Sequence, residues 1–373
     1  MLAKCLSCRR TVPGGYEFGQ DVVELLRTCA VCGPTASVVS EHPSHFRSGL
    51  NSSSEEHAIP TGIIVELLDG CNIQCPTCIA GSTPLSANLR DPHRVRDVLL
   101  AAIKRDEAKA VYLSGGEPTI HPRLLEFIDV VDEMPVDRRV LITNGLRIAE
   151  DRSFRSALLK RLTGRWEVFL QFDSLSPDAL RDLRGDDFSS VRIAAVDALN
   201  EYQVTTTLVA VAKRNVTLHD VPRVVEFGLA QEAVVGVQFQ PIRDAGRVLN
   251  YDPKLNMCTS SDVMSALASW QPKIIFGAHP RSPLSISLAY AGRGRSGVRW
   301  HKDPAALMPS DFYLEPTRRP DGRFRIAIVE YSDDTNWTSV RSMNSPLSVL
   351  QPDGSTSPVD DHFLPVVGQA AGL

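Results

Sequence analysis

The cysteines carry the most pointed chemistry in this sequence. Seven of the eight fall in two compact groups. The first is Cys71-Asn72-Ile73-Gln74-Cys75-Pro76-Thr77-Cys78, with three residues between the first two cysteines and two between the last two. A loop this short lets three thiolates converge on one face of an iron–sulfur cube, whose iron suits soft thiolate ligands. A cubane holds four irons, so three cysteines leave one iron without a protein ligand. An open iron is a place to do chemistry; a closed one mainly carries electrons.

The second group pairs Cys5-x-x-Cys8 with Cys29-x-x-Cys32. Each knuckle trails a basic residue or a glycine, Arg9 and Gly33, as zinc ribbons and rubredoxins do. Four thiolates on two such turns make a closed tetrahedral site for Zn²⁺ or for a single iron. A redox iron is one reading. A staple that lets a very small domain fold is the favoured one, because the set leaves no open position. Cys258 stands alone in the C-terminal third. It is a candidate hydrogen donor to a substrate radical, set against the plainer reading of a small buried hydrophobe.

The triad follows an apolar run over 63–68 that reads as a strand. Strand and helix patterns then alternate: helix 93–105, strand 110–114, helix 123–132, strand 139–143, helix 151–162, strand 166–172, helix 190–202, strand 205–211, helix 218–227 and strand 234–239. Six β/α units in series imply a parallel sheet with right-handed crossovers. Six are too few for a closed eight-stranded barrel. Polar residues gather at or just past strand C-termini: Cys71, Glu117, Asn144, Asp173 and Gln240. That rim carries the chemistry in barrel folds. Asn144-Gly145 also suits a turn, and Asp173 a helix cap. Gln238 and Gln240 alternate on the sixth strand and share a side, which favours contact with a cofactor or substrate. Arg184 and 213–215 are further polar candidates, or plain solvated loop.

Two stretches together resemble the radical S-adenosylmethionine (radical SAM) superfamily. One is the cysteine triad. The other is Ser114-Gly115-Gly116-Glu117-Pro118-Thr119, directly after the second strand. The resemblance implies an open, partial (β/α)6 TIM-like barrel and one [4Fe-4S] cluster on Cys71, Cys75 and Cys78. It also implies SAM, its methionine amino group held at Gly115, Gly116, Glu117 and Pro118. Glycines allow close approach, and a carboxylate accepts from an ammonium. Asn144, Asp173, Gln238 and Gln240 are the other expected cofactor contacts. SAM would chelate the open iron, and its reductive cleavage would give a 5′-deoxyadenosyl radical that takes hydrogen from an unactivated C–H bond. Within the superfamily the chain is similar to the subgroup of the archaeal tetraether synthase and the methanopterin-type pterin methylases. That likeness rests on Phe172-Asp173-Ser174-Leu175, Leu183-Arg184-Gly185-Asp186, 237–241 and Gly246-Arg247, beside the N-terminal knuckles. The subgroup's C-terminal cysteines for auxiliary clusters are missing here, so one cluster is expected.

The expected domains are 1–55, a four-cysteine metal ribbon with a linker from about residue 37; 56–247, the partial barrel; and 248–373, an α+β cap. In the cap, 260–270 reads as a helix, 273–277 and 324–331 as strands and 291–303 as a mobile loop. His42 and His45 read as solvated linker residues. Arg243, Arg247, Arg293 and Arg295 could meet an anionic substrate, with a solvated surface the plainer reading. A net charge of −4 gives no argument for nucleic acid. No apolar run reaches membrane-spanning length, and two metal-like cysteine groups suit a reducing cytoplasm. The expected partners are a small-molecule or lipid substrate and a reductase such as flavodoxin or ferredoxin. The expected outcome is C–C bond formation, methylation or epimerisation. The rival readings are a non-catalytic metal-binding scaffold and an iron–sulfur electron carrier.

Overall fold

In the computed structural model the described residues are 2–8, 10–44, 46–47, 62–85, 88–242, 246–274, 276–280, 284–294, 297–300, 323–331, 347–350, 353 and 355–358. The chain opens with an antiparallel sheet of β1 (Leu2–Lys4), β2 (Thr11–Phe18), β3 (Val23–Cys29) and β4 (Gly33–Ser40). Its apolar core is small: Ala3, Val23, Leu25 and Val39 on one side, Val12 beside the cysteines on the other. Residues 37–40, expected in a linker, complete β4. Just beyond, the Glu41 amide donates to Ser261 Oγ at 2.6 Å, and His42 is half-buried beside Ser265.

The main sheet is built from β5 (Gly62–Glu66), β7 (Ala110–Ser114), β8 (Arg138–Thr143), β9 (Glu167–Gln171), β10 (Thr205–Ala212) and β11 (Val234–Pro241), with β6 (Thr77–Cys78) lying outside it. The six pair in parallel in that order. Burial runs almost unbroken along β5, β7 and β9, as expected where helices cover one face and an interior fills the other. The crossover helices include α1 (Pro92–Arg105), α2 (Leu124–Asp132), α3 (Leu146–Glu150), α4 (Arg152–Leu162), α5 (Pro177–Arg184), α6 (Ser189–Glu201) and α7 (Val221–Ala230). α1 shows why such segments fold as they do. Asp91 caps it by accepting from the His93 and Arg94 amides, and Pro92 opens the first turn. Val95, Leu99, Ala102 and Ile103 then make one buried stripe. This is the partial β/α barrel that six units predict.

The C-terminal third adds strands to the same sheet. After β12 (Arg247–Val248), α8 (Pro253–Asn256) and α9 (Ser260–Trp270) come β13 (Gly277–Pro280), β14 (Leu284–Gly294) and β15 (Gly297–Trp300). β16 (Arg323–Tyr331), β17 (Leu347–Leu350) and β18 (Thr356–Pro358) follow. β16 pairs in parallel with β11, and β17 in parallel with β5. Both flanks of the β/α series are therefore extended. β14 runs antiparallel on β16, and the stretch expected as a loop over 291–303 holds the end of β14 and β15, paired as a hairpin; 301–303 lie outside the described residues. The strand expected at 273–277 begins instead at Gly277. At the N-terminal ends of the strands the interior is filled by Arg138, Glu167, Thr207 and Arg325. Arg138 Nε donates to Glu167 at 2.9 Å and Arg325 to Thr207 Oγ1 at 3.1 Å. The charged side chains here are at most 4% exposed. The other end of the interior holds the cavity.

Candidate iron–sulfur and cofactor site

The cysteine loop leaves β5 and lies across the C-terminal ends of β5, β7 and β8. Two backbone devices hold its approach. The Gly116 amide donates to Leu68 O at 2.7 Å and the Glu117 amide to Gly70 O at 2.9 Å. Gly115 has φ 126°, and a Cβ there would stand 2.3 Å from Leu68 O; one on Gly116 would stand 1.8 Å from Gly70 O. The glycines are thus required by backbone meeting backbone, where the sequence suggested backbone meeting a ligand.

Glu117 is 1% exposed, and its carboxylate is ringed by donors. Oε1 accepts from the Thr119 amide at 3.0 Å and from the Thr119 and Thr143 hydroxyls at 2.6 Å each, and Oε2 from the Asn144 amide at 2.7 Å. Burial pushes its carboxyl above the usual range, against these four bonds. Three donors crowd Oε1 and one reaches Oε2, so Glu117 fastens β7 to β8 here and Oε2 keeps acceptor capacity at the cavity it borders. Pro118 is the first residue of the short 3₁₀ turn Pro118–Ile120 and is absent from the cavity wall. Asn144 does two jobs. Its Oδ1 accepts from the Leu146 amide at 3.0 Å at the head of α3, and its Nδ2 donates to Asn72 Oδ1 at 2.8 Å and lies 4.0 Å from Cys71 Sγ.

Two arginines complete the loop's support. Arg247 Nε donates to Cys75 O at 2.7 Å, Nη1 to Gly81 O at 3.0 Å and Nη2 to Ser82 O at 2.8 Å, while β12 pairs with β6 beside it. The residue is a brace for the cysteine loop, and the solvated reading is corrected. Arg247→Ala is expected to leave the fold intact and to cut retained iron and sulfide at least about twofold after desalting, since three carbonyls lose one rigid donor; the count on anaerobically reconstituted protein checks it. Arg184 reaches Thr77 O at 3.1 Å, lines the cavity and places its charge beside Cys75 and Cys78. Asp173 accepts from Arg184 at 2.8 and 2.6 Å and from Arg192 at 3.1 Å, and it is 2% exposed. Burial works to raise its carboxyl, but Arg184 and then Arg192 outweigh it and hold the group down to about 2. Asp173 is therefore a corrected expectation: it aims Arg184 and does not line the cavity.

Cys71, Cys75, Cys78, Gly115, Gly116, Glu117, Asn144, Gln238 and Gln240 border one cavity of about 350 Å³, walled also by Ile64, Tyr112, Ile142, Phe169 and Val209. Cys258 does not. It is 0% exposed within the main core, which is the place of a small hydrophobe and removes it as a hydrogen donor to this cavity. Lys213 is spent on Asp182 at 2.6 Å. Arg243 and Arg295 lie outside the described residues, as do His45 and the Arg293 side chain. Arg184, read from sequence as a polar candidate or solvated loop, is a cavity residue. Its signals were Pro177 at the head of a short helix and Gly185 closing it at φ 91°.

The triad fits an iron–sulfur cluster on two observations. Burial pushes the Cys71 thiol up to about 12 and raises Cys75 as well, so soft iron is what would make these thiolates. The Thr77 hydroxyl, between Cys75 and Cys78, is buried without a partner among the described residues, and a cluster sulfur accepts hydrogen bonds. In the N-terminal sheet the thiol sulfurs of Cys5, Cys8, Cys29 and Cys32 all lie within 4.8 Å of one another. Backbone amides of Cys8 and Ser7 hold Cys5 down to about 6, and those of Cys32 and Val31 lower Cys29. Hydrogen bonding with Cys8, then burial, pushes Cys32 up to about 12.

A three-thiolate loop on the C-terminal rim of a parallel β/α sheet defines a class of metal-dependent α/β proteins. Residues 65–228 match the family model of the Radical SAM superfamily, which supports placing the chain there. It is 26% identical over 192 residues to the 7,8-dihydro-6-hydroxymethylpterin dimethyltransferase of Methanocaldococcus jannaschii, covering 49% of this chain and 37% of the relative. It is 24% identical over 183 residues to the GTP 3′,8-cyclase of Chlorobaculum tepidum, covering 48% and 54%. It is 27% identical over 198 residues to the PqqA peptide cyclase of Rhodopseudomonas palustris, covering 50% of each. The matches thus span between about a third and about a half of these relatives. Among solved structures, Streptococcus suis SuiB bound to S-adenosylmethionine overlaps with a TM-score of 0.47 at 16% identity, over 63% of this chain and 53% of that one. No helix among the described residues is long and apolar enough to cross a membrane.

Proposed function

We propose that the chain is a radical SAM enzyme with one [4Fe-4S] cluster on Cys71, Cys75 and Cys78 and with SAM in the cavity beside Gly115, Gly116 and Asn144. The observation that carries this reading is the single cavity bordered at once by the three thiols, the glycine turn and the apolar interior of the sheet. When bound, the cluster and SAM supply reductive cleavage of the sulfonium and, through it, hydrogen-atom abstraction from a C–H bond. The chain's own part is positional. Arg247 and the Gly115-Gly116 backbone hold the cysteine loop, Glu117 fixes those glycines to β8, and Asp173 aims Arg184 at the thiols. Ile64, Ile142, Phe169 and Val209 keep water away from a reactive species.

The substrate is a small molecule or lipid, and the outcome is C–C bond formation or methylation. A reductase such as flavodoxin or ferredoxin delivers the electron, in the cytoplasm. Epimerisation through Cys258 drops out with the burial of that thiol. The N-terminal four-cysteine site holds one Zn(II) or one rubredoxin-type iron in a structural role, supported by the closed ligand set and the slight core around it. The working units are 1–55, 56–247 and 248–373, the last sharing the main sheet through β16 and β17.

The test is product formation. Dithionite-reduced, reconstituted protein given SAM alone is expected to release 5′-deoxyadenosine and methionine in equal amounts. Protein that carries a full complement of iron and sulfide yet forms no 5′-deoxyadenosine would overturn the reading and leave an electron carrier or scaffold.

A further inference from the structure

We propose that Gln238, working with Gln171 across the interior, is the specificity-determining contact for a neutral, planar substrate that presents a lactam edge, an N–H and a C=O side by side. This rests on the radical SAM reading above and names the substrate class for that cavity.

Gln238 is 7% exposed and borders the cavity, and its carboxamide makes no hydrogen bond to any described residue. Its amide faces the cavity and is not sealed in packing, so both its donor and its acceptor are open to whatever enters. Depth separates it from the cofactor end. Gln240 sits near the C-terminal end of β11, and Gln238 is two residues nearer the N-terminal end, roughly 6–7 Å deeper along the strand. Val209 on β10 stands opposite Gln171 on β9 and opposite Gln238 on β11. The two carboxamides therefore flank Val209 at about 10 Å, two strand spacings. Gln171 Oε1 accepts from Arg192 Nη2 at 3.0 Å, which leaves its N–H groups to donate into the cavity. Gln238 keeps both its donor and its acceptor.

A carboxamide with both functions free pairs in two bonds with a lactam, donating to the C=O and accepting from the N–H. The gap suits a flat one- or two-ring body, with Phe169 and Ile142 as its walls. Among the described cavity residues the guanidinium is that of Arg184, and it is committed to Asp173, so the wall favours a neutral ligand over an anion.

The experiment is equilibrium dialysis of reconstituted protein with 2-pyridone, uracil and 4-quinazolinone, each beside its N-methyl counterpart, and with SAM. It compares wild type with Gln238→Leu and Gln238→Met, each checked for an unchanged melting temperature. At least one lactam is expected to bind wild type about 10-fold or more tighter than its N-methyl partner. In both variants that preference should collapse, and lactam affinity should fall about 10-fold further than SAM affinity. No binding by any lactam, or a preference that survives in the variants, overturns the proposal. So does an equal loss for SAM, which would assign Gln238 to the cofactor and leave the radical reading standing. Lactam binding through Gln238 in a protein that never cleaves SAM would instead defeat the radical reading and leave the lactam site.

Discussion

A Cys71/Cys75/Cys78→Ala variant is expected to lose about four irons and four sulfides per chain, and all SAM cleavage, while keeping one metal. The three thiols border one cavity, whereas the N-terminal four are gathered in a separate sheet, so the two sites should fail independently. The converse variant, Cys5/Cys29→Ala, should lose only the single metal. Because the core around it is little more than Ala3, Val23, Leu25 and Val39, it should also melt the N-terminal sheet, seen as faster proteolysis there. Metal and sulfide analysis of both variants beside the wild type gives the answer. About eight irons and eight sulfides in the wild type, with about half retained in the first variant, would mean a second cluster and would reopen chemistries that need one. Retention of all the wild-type sulfide in the first variant would place the cluster elsewhere and undo the assignment of the triad.

Much of the frame could be read from local sequence because its causes are local. A cysteine loop is legible in eight residues, and a crossover helix such as α1 announces itself by Asp91, Pro92 and a stripe from Val95 to Ile103. What escaped was set by partners distant in the chain. Asp173 looked like a rim carboxylate, but its two arginines lie 11 and 19 residues on, and only the fold turns both back onto it. Arg247 looked like solvated charge, yet it grips a carbonyl 172 residues earlier. β17 joins β5 from the far end of the chain, a pairing with no trace in either segment's own pattern. Gln238 is the intermediate case. Alternation on a strand put it on the inner face, but only the packing shows that nothing in the described protein satisfies it.

Gly116→Ala should be among the most damaging single changes in the chain, although it adds one methyl group. The new Cβ would stand 1.8 Å from Gly70 O and 2.4 Å from its carbonyl carbon. Both are backbone atoms with no rotamer to yield, so the strand end or the cysteine loop must move by about an ångström or more. Either movement breaks the Glu117-to-Gly70 amide bond of 2.9 Å and carries Cys71, the next residue, with it. An ångström of misplacement at a reacting centre costs on the order of 100-fold. We therefore expect 5′-deoxyadenosine formation to fall about 100-fold or more, with partial loss of iron and the remaining sheet still folded. Gly15→Ala is the matched control, because an added Cβ there meets nothing within 4 Å; it should leave iron content and SAM cleavage within about twofold of the wild type. If Gly116→Ala cleaved SAM as fast as that control, the glycine turn would not be what sets the height of the cysteine loop. Its role would then have to lie in direct contact with the cofactor.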